Sequence, residues 1–133
     1  MDSDPDPGSL TDSERGLVTA QFMLVAALSM AFMAFILYLI ALQYAQGVVR
    51  SALDEGVRIG APAPATPDDC EQAATRVLGE LLGGPLGADL VVSCSEGAGL
   101  LVARADGSFA GWFPGVPDLP VAFEVVAVKE SDE

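Results

Sequence analysis

The sequence predicts an α+β protein. A long N-terminal transmembrane helix continues into a small head, where one short helix packs on a three-stranded antiparallel sheet. Three observations predict this. Residues 17–45 form an apolar run without a single charge. A helical stretch with its own start and stop signals follows a proline-rich break. Beyond it, three stretches alternate apolar and polar residues with period two.

Size and charge bound the function. The chain has 133 residues, enough for one small domain plus an extra element. Its 19 acidic and 6 basic side chains give a net charge of -13, a surface that repels phosphate backbones. No nucleic acid is expected as a partner. There is no histidine, and the two cysteines, Cys70 and Cys94, form no CxxC motif. Lys129 is the only lysine.

Composition divides the chain into residues 1–16, an acidic disordered leader; 17–60, a transmembrane and extended amphipathic helix; 61–67, a proline-rich linker; 68–129, the head; and 130–133, an acidic tail. From Phe22 to Leu42 the run is close to the ~20 residues that cross a bilayer. A cleaved secretory signal is the alternative, but the leader is acidic, the run is long and no A-x-A site follows. Arg15 precedes the membrane while Arg50 and Arg58 follow it, so charge alone does not orient the span.

Past the membrane, Val48, Val49, Ala52, Leu53, Val57 and Ile59 recur at helical spacing. Asp54 and Arg58, four apart in acid-first order, are expected to pair. The APAPATP stretch must end this helix. Thr66 then fits an N-cap and Pro67 a first helical position; Asp68, Asp69 and Glu71 suit the positive helix end. This second helix is expected to reach Leu82, before Gly83-Gly84.

Strands are expected at 88–95, 99–105 and 120–129. Asp106-Gly107 can be a hairpin turn leading to a fourth strand over 108–113, or a bulge in one long second strand. Cys70 lies on the apolar stripe of the second helix, and Leu90, Val92 and Cys94 share a strand face. The helix advances about 18 Å from Cys70 to Leu82 and the strand returns about 13 Å from Leu90 to Cys94. A Cys70–Cys94 disulfide is therefore expected, which places the head outside the cytosol as an extracytoplasmic domain. Two buried free thiols are the alternative.

Catalytic chemistry is not visible. Without histidine the usual nucleophile–base triad is absent, and Asp68-Asp69, Asp89 and Glu96 are more simply solvated surface. No enzyme, cofactor, metal site or small-molecule substrate is expected; the DPDP tract lacks calcium-loop spacing. Phe109, Trp112 and Phe113 can be an interface patch or can fold back over the sheet. Ala20, Ala27, Ala31, Ala34, Ala41 and Ala45 mark a small-residue seam that suits helix packing in lipid, although an alanine-rich chain produces such seams by chance.

The opening SERG, with QF five residues on and then the apolar helix, resembles the plan of type IV pilin-like proteins. Among these it looks most like the TadE-like pseudopilins, or minor pilins, of tight-adherence (Tad) pilus systems. SALDEGVRIGA is similar to their Glu-Gly-Ala-Arg helix exit, with Val57 in place of alanine. The second helix, the alternating strands and the FPGVPDLP loop are also similar, so the likeness spans most of residues 14–129.

The resemblance implies cleavage by a prepilin peptidase after Gly16, with Arg15, Gly16 and Leu17 as processing residues. The N-terminus would be cytoplasmic and the protein single-pass in the cell membrane. It also implies assembly with other pilin or pseudopilin subunits through the membrane helix, at Gln21, Phe22, Ala27, Ala31 and Ala34. Gln21 departs from the family's pattern, which has glutamate there. An amide supplies no counter-charge but is cheaper to leave in lipid, and suits a minor or membrane-resident subunit. The alternative is an unprocessed, single-pass anchored binding or accessory module.

Overall fold

The computed structural model describes residues 8–84, 87–111 and 114–131, with the backbone alone described for 8–15. The chain is α+β, in the order α1 (Gly8–Gly60), α2 (Pro67–Leu81), β1 (Val91–Gly97), β2 (Leu100–Phe109) and β3 (Leu119–Val128). It divides into a first unit ending at Ile40 and a second beginning at Ala41.

In the first unit, α1 begins at Gly8, inside the segment expected to be a disordered leader. The physical reason is cooperativity. An existing helix adds one hydrogen bond per residue, and residues 9–15 contain no glycine or proline to stop it. Residues 1–7 lie outside the described part of the chain. Through the apolar run the large aliphatic, methionine and phenylalanine side chains, from Leu17 to Ile40, are exposed, and Tyr38 is half-buried. Helix α1 is long and apolar enough to cross a membrane by length and composition. Within it, the Ser29 hydroxyl donates to the Val25 carbonyl at 2.8 Å, so this polar group is satisfied inside the helix.

The second unit is a helical layer on a three-stranded antiparallel sheet of order β1-β2-β3. Gly97 and Leu100 close the first hairpin around Ala98-Gly99. Both of these residues have positive φ, 53° and 76°, as a two-residue primed turn requires. Strand β2 pairs without interruption from Leu100↔Val128 to Phe109↔Leu119. Asp106-Gly107 is thus neither a hairpin turn nor a bulge, and no fourth strand exists among the described residues. Glycine is needed at 107 because the backbone crosses there: a Cβ would lie 2.1 Å from the Asp89 carbonyl. That crossing is a turn at 87–89, which delays β1 to Val91.

Helix α2 starts as its sequence suggests. The Thr66 side chain accepts from the Asp69 N–H, and the Asp69 carboxylate accepts from the Thr66 N–H, a reciprocal capping box. At the other end the Leu82 N–H bonds Leu78 at 2.8 Å before the chain turns away at Gly83.

Helix α2 alone does not cover the sheet. The core joins Ala45, Val48, Val49, Ala52, Leu53 and Val57 of α1 to Cys70 and Leu78 of α2 and to Leu101, Ala103, Ala105 and Phe109 of β2. Val121, Phe123, Val125 and Ala127 of β3 pack against it. Where α1 meets α2, two glycines one turn apart remove the side chains. A Cβ on Gly56 would lie 2.9 Å from the Cys70 carbonyl and 3.0 Å from Ala74 Cβ. One on Gly60 would lie 2.8 Å from both Cys70 Cβ and Leu101 Cδ2. Arg58 does not pair with Asp54 as expected. Its Nε and Nη2 fork onto the two Glu55 carboxylate oxygens, each at 2.9 Å, a bidentate geometry that the longer glutamate reaches.

Two helical glycines should therefore respond with opposite signs. Gly60→Ala overpacks the core and is expected to destabilise the head by ~1–3 kcal/mol. Gly79→Ala in α2 meets nothing within 4 Å and should stabilise by up to ~1 kcal/mol through helix propensity. Urea unfolding of the two variants measures both.

Candidate functional site

The cysteines lie where the two helical and strand faces bring them together. Cys70 and Cys94 are disulfide-bonded with Cα atoms 6.2 Å apart. Cys70 is fully buried, so the bond staples α2 to β1 inside the core. Beside it the Glu71 carboxylate accepts the Cys94 N–H at 2.9 Å. That bond ties the same two elements a second time, on the outward edge of β1.

A second cluster surrounds Lys129. Its side chain is only 8% exposed. The ammonium donates to the Gly60 carbonyl at 2.8 Å and to the Ala65 carbonyl, and stands 3.7 Å from Glu96. The Glu130 N–H reaches Ala61 at 2.9 Å. The end of β3 thus satisfies the last carbonyl of α1, that of Gly60, and two in the segment that follows, at a helix end where the dipole favours a cation. Nothing in the sequence reading assigned Lys129 a role; the only signal was a single lysine closing an alternating strand.

The carboxylates singled out from the sequence do not converge. Asp69 caps α2, Glu96 faces Lys129 from the β1–β2 hairpin, and Asp68 and Asp89 are exposed. No group of three or more histidine, cysteine, aspartate or glutamate side chains able to hold a metal occurs among the described residues. The concavity of about 320 Å³ between the end of α2 and β1 is lined by Leu78, Leu82, Leu90 and Val92 with glycines, and contains no titratable side chain. Another, of about 300 Å³, lies between one flank of α1 and Phe123.

Phe109 corrects the aromatic-patch expectation. It is fully buried, with the largest volume of the fully buried side chains among the described residues, and is not available as a contact residue. Trp112 and Phe113 lie outside the described residues. The adjoining loop is held by the Gly111 N–H, which donates to Asp118 Oδ1 at 3.0 Å.

Of the processing residues, Gly16 and Leu17 are helical and exposed, and the side chain of Arg15 lies outside the described residues. Gln21, Phe22, Ala27 and Ala31 are exposed and Ala34 is half-buried. Ala45, the last member of the alanine seam, is fully buried and belongs to the head core. No family model, curated protein or solved structure matches the chain.

The capping box has a pH signature. The Thr66 N–H and then its hydroxyl, at 2.8 and 2.9 Å, hold the Asp69 carboxyl below the ordinary aspartate range, with Lys129 adding a smaller pull. A lowered folded value stabilises the fold above the unfolded value, about 4 for aspartate, and that share is lost as pH falls through the folded value. Asp69→Asn is expected to flatten the acid limb of stability below about pH 4. Urea midpoints measured from pH 7 down to 2 test it. Parallel limbs in variant and parent would exclude the contribution.

Proposed function

We propose that the protein is a non-enzymatic minor pilin or pseudopilin of a Tad-type assembly. In this reading a prepilin peptidase cuts after Gly16 and Leu17 becomes the mature N-terminus. The apolar helix holds the subunit in the cell membrane and packs against other subunits, and the head stands outside the cytosol.

One observation carries the reading. A single helix, α1, holds both the apolar run and six residues of the head core, Ala45 to Val57. An anchor joined to a self-sufficient domain by a linker has no need of this sharing, whereas a subunit that assembles through its helix does. The disulfide supports an oxidising location for the head. At Gln21 the exposed amide makes no hydrogen bond among the described residues, and so is available to a neighbouring subunit.

Gln21 also favours a second reading. It lacks the charge that the family's glutamate offers a neighbour's amine, so a single-pass accessory module that is never processed fits the same anchor. Intact mass and N-terminal sequencing of the protein from its native membrane separate the two. A chain beginning at Leu17 is expected. A chain retaining residues 1–16 would remove the processing claim and leave the plain anchored module.

A further inference from the structure

Antiparallel pairing alternates the direction of backbone groups along each strand, and two hydrogen bonds settle that alternation here. The Cys94 N–H donates to Glu71, so it points away from β2. Its partner Ala103 must then direct its own N–H and C=O toward Val125 of β3. At the far end the Lys129 N–H bonds Gly99, while that of Glu130 points outward to Ala61. Both observations put Val121, Phe123, Val125 and Ala127 against β2. They leave the backbone groups of Ala122, Glu124, Val126 and Val128 on the outer edge. Among the described residues no hydrogen bond reaches those four N–H groups.

The two edges of the sheet therefore differ. Glu71 blocks β1 at its centre, whereas β3 is closed only beyond its end, by the Glu130–Ala61 bond, and by Pro120, which has no N–H to offer. Between them lies an open window of about 20 Å. A long open edge is a template for another strand unless it is covered or charged, and Glu124, the only charge in the window, is already paired with Arg104.

A cleft adjoins this window. It measures about 300 Å³ and is lined by Gln43, Gln46, Gly47 and Arg50 of α1 with Phe123 of β3. The four α1 residues are spaced to share one helix face, and a Cβ on Gly47 would meet nothing within 4 Å. Arg50, like Arg76 on α2, is exposed and makes no ion pair or hydrogen bond among the described residues, while Arg58, Arg104 and Lys129 are engaged. On the opposite face of the sheet, Val126 and Val128 are exposed beside the same edge.

We propose that the β3 edge and this cleft form one strand-accepting groove. An extended segment of a partner protein adds to β3 as a fourth strand. Side chains on one of its faces enter the cleft, where a carboxylate meets Arg50. Those on the other face are β-branched or aliphatic and lie beside Val126 and Val128. Main-chain pairing supplies affinity and the alternating pockets supply selectivity.

Charge argues for this partner over a second copy of the chain. Another β3 would present Val121, Phe123, Val125 and Ala127 on its helix-facing side, none of them a carboxylate, and would bring together two chains of net charge -13. The groove does not depend on the pilin-like reading.

The test uses the full chain in detergent micelles, with a display library of random heptapeptides as the probe. Enriched peptides are expected to carry β-branched residues at alternate positions and one aspartate or glutamate. A synthetic enriched peptide should slow exchange of the Ala122, Glu124, Val126 and Val128 amides by at least about tenfold. It should fail to bind when its alternate amides are N-methylated. Arg50→Gln should remove the acidic preference while leaving protection of the other sheet amides unchanged. No enrichment, or binding that leaves the four amides as they were, overturns the proposal. So does concentration-dependent dimerisation that protects the same four amides without peptide, which would make the second copy the occupant.

Discussion

The contact on which the head depends is the approach of Gly56 and Gly60 to Cys70, close enough that neither glycine could carry a Cβ undisturbed. Packed interiors transmit such constraints because they have few voids to absorb a shift. Bringing α1 this near to α2 seats Cys70 over the sheet, where its sulfur meets that of Cys94. It also presses the end of α1 onto Leu101, near the start of the central strand. The disulfide, joining residues 24 positions apart, adds about 3 kcal/mol in the chain-entropy model. Its geometry depends on the glycines holding the helices together.

Polar groups are arranged around that contact without leaving any stranded. No buried side-chain nitrogen or oxygen among the described residues lacks a hydrogen-bond partner. Among the described side chains Lys129 is the one cation drawn inward, and it is met by two carbonyls and flanked by Glu96. Such a cation is tolerated because its donors are used and a countercharge is near. No acidic side chain is buried among the described residues, so their charge lies where it favours solubility of the head and disfavours self-association. One face of the sheet is covered by α1 and α2, while the other is open, with Val91, Val126 and Val128 exposed on it.

Much of this was legible in the sequence. Thr66-Pro67 marked the start of α2 because a cap and a fixed φ are local properties. The inward pairing of Cys70 with Cys94 followed from two rises per residue and two faces. What escaped were effects of distant parts of the chain. Gly107 reads as a turn residue beside aspartate, and only the passage of Asp89 over it shows that it serves a straight strand. Val48 to Val57 read as an amphipathic extension of the anchor, since periodicity shows an apolar stripe but not what covers it. Lys129 gave no local sign that it would close off α1. The start of α1 at Gly8 was missed because composition argues for disorder without weighing the helix that follows.

The last turns of α1 are part of the head and not merely its tether. Two truncated chains test it most directly, one spanning residues 41–133 and the other 61–133. The longer chain is predicted to form the Cys70–Cys94 bond and to unfold cooperatively on heating, followed by circular dichroism. The shorter chain, deprived of Ala45 to Val57, is predicted to show no cooperative transition. Cooperative unfolding of the shorter chain at the same midpoint would show instead that the sheet and α2 are sufficient without α1.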